Sequence, residues 1–415
     1  MTNACLAIVK NRNFLLLWLG QITSQLALNM LYFVLAIQVY DITRSNTAVS
    51  VLLLAFGLPA IVFGVVAGGI VDYFDKRSIL VFCNITRIFL LLLFFIFAKH
   101  LPILYLLSIV ISILTQLFIP AEGPSIPHLV DSKQLLAANS LFTTSFYLST
   151  VLGFILAGPF MRIFGNRNIY LIMIILMLLA FYFVYKLPRI TEKKKFTLTL
   201  PFITETIKGG IKFIRSNQRI EQSLILMTFA QALIATLSVL APGFADKVLM
   251  IDLVDASYLV MGPAALGLVL GALWVGSFGN KFLKGKIILV GILFTGVDLI
   301  LLSLVSSVTK PIFFIINNLF LAVILLFLLG IFNSFISVPA NTILQEDSHS
   351  DMLGRVYGVL TALTSGVSFL PVVFSGILAD AFGVNRALTI LGTVIIGASF
   401  YHYWQKRRII TIYNS

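Results

Sequence analysis

Long apolar runs separated by short polar turns recur along the whole chain. A helix needs about 20 consecutive apolar residues to cross the hydrocarbon core of a bilayer, and the runs are of that order. They lack the strict alternation of apolar and polar residues that marks the strands of a membrane barrel. The pattern predicts an all-α membrane protein with twelve transmembrane helices, at residues 14–39, 48–71, 78–98, 101–119, 135–160, 168–187, 220–244, 256–278, 287–308, 312–337, 355–379 and 387–404.

The composition excludes an ordinary soluble domain. Hydrophobic residues make up 59% of the chain and charged residues 11%, whereas a soluble domain carries about 25% charged residues. In lipid, every backbone N–H and C=O group must be bonded within the protein, and a helix does this by itself. The composition therefore agrees with helical spans.

The net charge of +13 has an uneven distribution along the chain. With the N-terminus inside, the inner segments hold 21 of the 29 Lys and Arg residues, the outer loops hold seven, and Arg87 lies within a span. An excess of bases on the inner side orients membrane helices. We therefore expect a multi-pass protein of the bacterial cytoplasmic (inner) membrane with both termini cytoplasmic, and no nucleic-acid partner.

Two short motifs recur in both halves of the chain. A basic turn follows span two (68–77, GGIVDYFDKR) and span eight (276–284, GSFGNKFLK). A second echo ends span five (157–165, AGPFMRIFG) and span eleven (375–383, SGILADAFG). Repeats in register predict two pseudo-symmetric six-helix bundles, 1–187 and 220–415, which is an arrangement typical of transporters.

The only long polar interval is the predicted cytoplasmic linker, 188–219. Within it, isoleucines fall on one helical face and bases on the other. This pattern favours a basic amphipathic helix on the inner membrane surface, and a binding site for a soluble partner is the alternative.

These motifs resemble those of the major facilitator superfamily over nearly the whole chain. The pattern Gly68-x-x-x-Asp72-x-x-x-Lys76-Arg77 is similar to its signature turn, although Tyr73 replaces a usual Arg and Asp75 a common Gly. Residues 119–122 (IPAE), 135–141 (LLAANSL) and 353–358 (LGRVYG) resemble the bacterial drug:proton antiporter branch, which includes macrolide and siderophore exporters.

The resemblance implies a conformational latch at this turn. In such a latch, the Asp72 carboxylate would lie near the start of span eleven, where a negative charge at a helix N-terminus is stabilised by about 0.3–1 kcal/mol. The alternative is a solvated basic turn without a latch. The predicted latch residues are Gly68, Asp72, Lys76, Arg77, Gly354 and Arg355.

The resemblance also implies a substrate path lined by the first and fourth helices of each half. Polar side chains recur at helical spacing there, and they are costly against lipid, so they must face protein or water. Hydrogen bonding between helices without ligand contact is the alternative. The predicted cavity residues are Gln21, Gln25, Asn29, Tyr32, Ser112, Gln116, Gln231 and Asn333.

Four ionisable residues are candidates for coupling transport to an ion gradient. Ionisable residues within spans are rare and often mark ion pathways. A structural role is the alternative, by pairing with a neighbour or by extending towards the headgroups. The candidates are Glu122, Asp298, Arg87 and Glu221.

The chain lacks a Gly-x-x-x-x-Gly-Lys-Ser/Thr loop, and its His and Cys residues have no metal-ligand spacing. We expect no enzyme activity and no cofactor. The sequence predicts a monomeric secondary transporter, a proton-coupled exporter of amphipathic small molecules of drug or siderophore type. Its partners would be the substrate, protons and membrane lipid. A lipid or lysophospholipid flippase of the same fold is the alternative, and a non-transporting membrane scaffold is a different class.

Overall fold

The protein is represented by a computed structural model, which describes residues 8–71, 74–131, 134–190, 214–305, 318–347 and 369–405. All regular elements within these ranges are helices. This confirms the predicted all-α fold class. The predicted amphipathic helix of the linker falls in 191–213, outside the described residues.

The long helices of the first half begin and end close to the predicted spans. A short helical turn, Ile126–Leu129, extends the fourth of them. In chain order they are α1 (Arg12–Thr43), α2 (Asn46–Val71), α3 (Lys76–Ile96), α4 (Leu101–Glu122), α5 (Leu135–Phe164) and α6 (Ile169–Tyr185).

The second half has the corresponding set. Two single π-helical turns, Ala245–Leu249 and Ser257–Met261, lie between its first two long helices. In chain order the long helices are α7 (Gln218–Phe244), α8 (Gly262–Phe278), α9 (Lys284–Leu304), α10 (Asn318–Asp347), α11 (Phe369–Phe382) and α12 (Val384–Gln405).

These helices have the length and composition of membrane spans. Among the described residues, eight helical segments are long and apolar enough to cross a bilayer, and four shorter apolar helices accompany them. The first part of predicted span eleven, 355–368, lies outside the described residues. The structure therefore supports a multi-pass membrane protein.

The predicted end of span ten at residue 337 is wrong. Helix α10 continues through Pro339 to Asp347. Proline is tolerated in membrane helices because neighbouring groups satisfy the freed carbonyl. The extended end carries two acids that pair with bases of other helices, Asp347 with Arg219 at 3.1 Å and Glu346 with Lys284. Leu344 of the same extension is fully buried and packs with Ile220 and Leu224 of α7, so apolar packing as well as these pairs holds the end of α10.

The described chain divides into two compact units. The first comprises Met1–Ile42 and Leu54–Ile203, and the second comprises Thr43–Leu53 and Thr204–Ser415. The sequence did not predict that the start of α2 belongs to the second unit. Helix α2 therefore begins in one unit and ends in the other.

Glycines allow close helix packing inside the second unit. A Cβ atom at Gly267 of α8 would collide with the backbone oxygen of Phe327 on α10, and one at Gly330 of α10 would collide with the oxygen of Ala264. At Gly271 the nearest atom would be the Ile331 Cα, 2.8 Å away. Gly267 and Gly271, one helical turn apart, therefore form a small-x-x-x-small face of α8 against α10.

Candidate functional site

The signature turn is organised by an acid that the family pattern does not require. Asp75 precedes α3 and caps it, because its carboxylate accepts hydrogen bonds from the Ser78 N–H at 3.0 Å and the Ser78 hydroxyl at 2.6 Å. An acidic N-cap satisfies free N–H groups of the first helical turn. The departure from the pattern at position 75 therefore has a structural role.

The same turn is bonded to the end of α6 within the first unit. The Ile190 N–H donates to Asp75 at 2.6 Å, and the Lys76 N–H donates to the Ile190 C=O at 3.0 Å. Arg77 donates to the Tyr185 C=O at 2.5 Å and lies over the Tyr185 ring, 5.2 Å from its centre. Residues 185–190, where the predicted linker begins, are thereby held against the turn.

The pKa of Asp75 reflects these contacts. Partial burial by itself would raise the pKa of this carboxyl group, but the hydrogen bonds from Ser78 and Ile190 and the nearby charge of Arg77 lower it below its usual value. Hydrogen bonds to a carboxylate favour its charged form. Asp75 is therefore ionised at neutral pH.

The predicted latch lies largely outside the described residues. Asp72, Gly354 and Arg355 are not described, and Gly68 lies in α2 without a described side-chain environment. Lys76 is 2% exposed, and its Nζ atom lies 3.4 Å from the His128 Nε2 atom. The latch remains a prediction.

A polar cluster is buried inside the first unit around Arg87 of α3. The Arg87 guanidinium donates a 3.0 Å hydrogen bond to the Thr115 hydroxyl and lies 4.5 Å from the centre of the Phe118 ring. The Tyr32 hydroxyl is also within hydrogen-bonding reach of Thr115. Only 1% of Arg87 is exposed. We call Tyr32, Arg87, Thr115, Phe118 and Glu122 the Arg87 cluster.

Glu122 ends α4 and is also buried, with 6% of its surface exposed. It interacts electrostatically with Arg87. Within the described part of the chain, the Glu122 Oε1 atom and the Arg87 Nε and Nη1 atoms have no hydrogen-bond partner. A buried charge is costly unless it is compensated, so an acid and a base in one apolar environment, both with incomplete hydrogen bonding among the described residues, form an electrostatically sensitive site.

Two of the predicted cavity residues of α1 instead join α1 to α5. Gln21 donates to the Phe142 C=O at 3.3 Å, and Asn29 donates to the Thr150 hydroxyl at 3.3 Å. Both are less than one tenth exposed. A Cβ at Gly153 would approach the Asn29 Cβ to 2.7 Å, so the helices pack closely there. Both residues thus form hydrogen bonds between helices, and their place in a substrate cavity remains a prediction.

The remaining polar residues of α1 and α4 differ in exposure. Ser112 is buried and donates its hydroxyl to the Phe56 C=O of α2. Tyr32 packs edge-on against the Phe56 ring, with ring centres 4.5 Å apart. Gln25 and Gln116 are half-buried. Gln25, Gln116 and Tyr32 are therefore the cavity candidates of the first unit whose side chains retain exposed surface.

In the second unit, the two predicted cavity residues lie in different environments. Asn333 of α10 is 3% exposed and donates to the Ala230 C=O of α7 at 3.3 Å. Gln231, the next residue of α7, is exposed. Asn333 therefore contributes to helix packing, and Gln231 retains a free surface.

The other two coupling candidates are also separated by exposure. Asp298 of α9 is 3% exposed, and its Oδ2 atom has no hydrogen-bond partner among the described residues. Helix α9 packs against α10 and α12 of the same unit. Glu221 is exposed in the first turn of α7, where its charge complements the helix dipole.

Sequence reasoning missed Asp380, which is bonded to residues 45–47 at the start of α2. The Asp380 carboxylate accepts from the backbone N–H groups of Asn46 at 2.8 Å and Thr47 at 2.9 Å. The sequence did contain one indication: in the repeat of 157–165 and 375–383, Asp380 aligns with Arg162, so the charge at this position is reversed between the halves. The echo could show a changed charge, but it could not show which distant segment the acid contacts.

Comparison with known proteins extends these observations to the family level. The model of the Major Facilitator Superfamily matches residues 17–372. Macrolide efflux protein A of Streptococcus pyogenes is 23% identical over 394 residues, which cover 92% of this chain and 93% of that protein. A Bacillus subtilis protein named as the uncharacterized MFS-type transporter YfiS is 23% identical over 367 residues, covering 88% and 85% respectively.

Solved structures share the fold at low sequence identity. A variant of the nucleoside transporter NupG superposes with a TM-score of 0.74 at 13% identity, covering 94% of this chain and 98% of that chain. A bacterial homologue of the human lysosomal transporter Spinster, in an inward-facing and unoccupied conformation, gives a TM-score of 0.73 at 14% identity. It covers 96% of this chain and 97% of its own. At these identities the likeness shows the fold alone.

Proposed function

The chain belongs to the Major Facilitator Superfamily, and from this premise we propose that it is a proton-coupled exporter of amphipathic small molecules. It is a membrane transporter with apolar transmembrane helices. The finer proposal concerns the direction, the coupling ion and the substrate class. We also propose that the protein is a monomer in the bacterial inner membrane, with both termini in the cytoplasm.

The observation that carries the proposal is the buried pair of opposite charges in the Arg87 cluster. Arg87 is held by Thr115 and Phe118, while Glu122 keeps an oxygen atom without a partner among the described residues. Ionisable residues buried in membrane helices mark proton relays and substrate pathways. Binding a proton to Glu122 would change the net charge of the cluster by one unit, and this change can be coupled to binding and release of substrate.

Within this proposal, the members of the cluster have separate tasks. Glu122 binds and releases the proton. Arg87 is the fixed countercharge, which Thr115 of α4 orients through its hydrogen bond. Gln25 and Gln116, which retain exposed surface, would contact polar groups of the substrate. Asp298 is the second candidate for the proton site, because it is buried and has an oxygen atom without a described partner.

A relative and the composition support the proposed direction and substrate class. Macrolide efflux protein A, at 23% identity, is an exporter by its name. The chain is only 11% charged, and few charges lie within the spans, which suits lipophilic or weakly charged substrates better than organic anions. The latch of Asp72 on the start of span eleven belongs to the same proposal. We expect Asp72→Asn to impair transport while the protein level stays normal.

Transport by proteoliposomes under an imposed proton gradient tests the proposal. A panel of amphipathic compounds, including macrolides, and a headgroup-labelled lysolipid would be compared with and without the gradient. Gradient-driven movement of a compound is expected for the wild type and is expected to be lost in Glu122→Gln. Asp298→Asn makes the same chemical change at the second candidate and is the comparison that discriminates between the two acids.

Each outcome of this experiment has a defined meaning. Retention of gradient-driven transport by Glu122→Gln, with loss in Asp298→Asn, would transfer the proton site to α9. Movement of lysolipid alone would replace the exporter with the flippase. Transport of compounds that does not respond to the proton gradient would contradict proton coupling.

A further inference from the structure

The carboxylate of Asp380, near the end of α11, binds the start of α2 through four hydrogen bonds. Two come from the backbone, the N–H groups of Asn46 at 2.8 Å and Thr47 at 2.9 Å. Two come from side chains, the Ser45 hydroxyl at 2.5 Å and the Asn46 amide at 3.1 Å. All of these residues belong to the second unit. Both oxygen atoms of the carboxylate are used.

This arrangement is a helix cap supplied from a distant part of the chain. The first N–H groups of a helix have no partner within the helix, and a capping side chain usually comes from the residue just before it. Here Asp380 is separated from Asn46 by 334 residues. Its negative charge also complements the positive end of the helix dipole. The first turn of α2 is thus completed by α11.

The contact continues along the next turn of α2. The Ser50 hydroxyl donates to the Val372 C=O of α11 at 3.0 Å, and Ser50 is completely buried. A Cβ at Gly376 would lie 2.9 Å from the Asn46 C=O, so glycine is required for this approach. Asn46 is also fully buried. A Cβ at Gly243 of α7 would lie 2.8 Å from the side-chain amide nitrogen of Asn46.

Helix α2 is divided between the two units after Leu53. If the units move relative to each other, α2 must either bend or release its contacts at one end. A bend is easiest at Pro59, which lacks an N–H group and so already interrupts the hydrogen bonds within α2. At the start of α2, the bonds that Asp380 accepts from Ser45 and Thr47 are exposed, so water can replace them, whereas Asn46 and Ser50 are buried. Release at residues 45–50 would begin at the two exposed bonds of the cap.

From this geometry we propose that Asp380 is a positioning residue of the transport cycle, which holds residues 45–50 of α2 against α11 in one state and releases them in another. The proposal rests on the proposed transport function for its role in a cycle. The contact between residues 45–50 and α11 is itself a property of the protein at rest. It can be measured without a substrate or an ion gradient.

A buried thiol introduced at position 50 reports directly whether residues 45–50 remain in contact with α11. Ser50→Cys would be introduced into protein in which Cys5 is replaced by Ser, and Cys83, which is fully buried, would be kept. Protein without the reporter is the blank. The purified protein in nanodiscs, which expose both faces, is treated with a water-soluble maleimide. The labelling rate reports how often residues 45–50 leave α11.

We expect Asp380→Asn to increase the labelling rate about tenfold, since hydrogen bonds to a charged group are among the stronger ones in proteins. Asp380→Glu, which keeps the charge, is expected to return the rate most of the way to that of the parent. The matched control is Asp246→Asn, because Asp246 forms a 3.5 Å ion pair with Arg44 beside the cap. Arg44 is about half exposed and Asp246 about one third exposed, and the loss of this long ion pair is expected to change the rate less than twofold.

Two results would overturn the proposal. One is an unchanged labelling rate in Asp380→Asn, and the other is an equal increase in Asp246→Asn. If Asp380→Asn does not accumulate as folded protein, Ser45→Ala removes a single hydrogen bond of the cap and is expected to increase the rate about threefold. An unchanged rate in Ser45→Ala would then count against the cap. If neither the wild type nor any variant transports a substrate, the proposed transport function fails. The labelling rates would still test the contact between Asp380 and α2.

Discussion

The backbone N–H of Ile190 donates a 2.6 Å hydrogen bond to the carboxylate of Asp75, across 115 residues of sequence. The Ile190 C=O accepts in return from the Lys76 N–H at 3.0 Å. Both backbone groups of Ile190 are thus satisfied by the turn between α2 and α3. This places the start of the predicted linker on the signature turn.

We predict that Asp75→Asn loosens the start of the linker. Asparagine keeps an acceptor oxygen but loses the charge that strengthens the hydrogen bonds from Ile190 and Ser78. Trypsin should then cleave near the lysines at 193–195 several times faster than in the wild type. Asp131→Asn, a change at an exposed acid of the same unit, is the control and should leave the rate unchanged. Equal rates for Asp75→Asn and the wild type would contradict a clamp.

The same clamp should depend on pH only in acid. Because contacts in the folded protein lower the pKa of Asp75 below its ordinary value of 3.8, its contribution to stability is complete above that value and is lost as the pH falls through the folded pKa. Hydrogen-exchange protection of the Ile190 amide, corrected for intrinsic exchange, should be constant from about pH 5 to 8. It should fall below about pH 4. Loss of protection between pH 5 and 8 would assign the control to another group.

We predict that Arg87 and Glu122 are energetically coupled. Arg87→Gln leaves Glu122 buried without its countercharge, so the single variant should unfold at a lower temperature than the wild type. The double variant Arg87→Gln/Glu122→Gln should recover part of the loss, with an interaction energy of about 0.5–3 kcal/mol. Thermal unfolding of the four proteins in one detergent measures this cycle. Strictly additive effects would show that the two residues act independently.

The close packing of α8 on α10 gives a prediction with a matched pair of glycines. Gly267→Ala places a Cβ against the backbone oxygen of Phe327, which cannot move without shifting α10. Gly276→Ala, in the same helix, meets nothing within 4 Å. We expect Gly267→Ala to destabilise the protein by about 1–3 kcal/mol and Gly276→Ala to have little effect. Thermal unfolding would refute this contact if the two variants melted together.

The positions of most helices could be predicted because a membrane span has a required length and an apolar surface. The predicted span 14–39 lies within α1, Arg12–Thr43, and the predicted start of span four coincides with that of α4 at Leu101. The end of α10 could not be predicted in this way. Residues 338–347 mix apolar and polar side chains, and the extension depends on tertiary contacts: Leu344 is buried with Ile220 and Leu224 of α7, and Asp347 pairs with Arg219.

The candidate site was only partly predictable. Helical spacing showed that Gln21 and Asn29 share one face of α1, and the cost of polar groups in lipid showed that this face is turned towards protein or water. Spacing along one helix carries no information about the partner helix. The structure shows that Gln21 and Asn29 bond to α5, and that Tyr32 lies with Arg87 and Glu122 instead.

The sequence by itself determined that this protein is a helical membrane protein of two related halves, because apolar length, basic turns and local repeats are properties of neighbouring residues. Only the tertiary structure decided that Asp380 caps α2 and that Asp75 holds Ile190. Each of these carboxylates meets backbone N–H groups that lie far away in the chain. Which N–H group an acid satisfies depends on how the helices pack, and no local pattern records that choice.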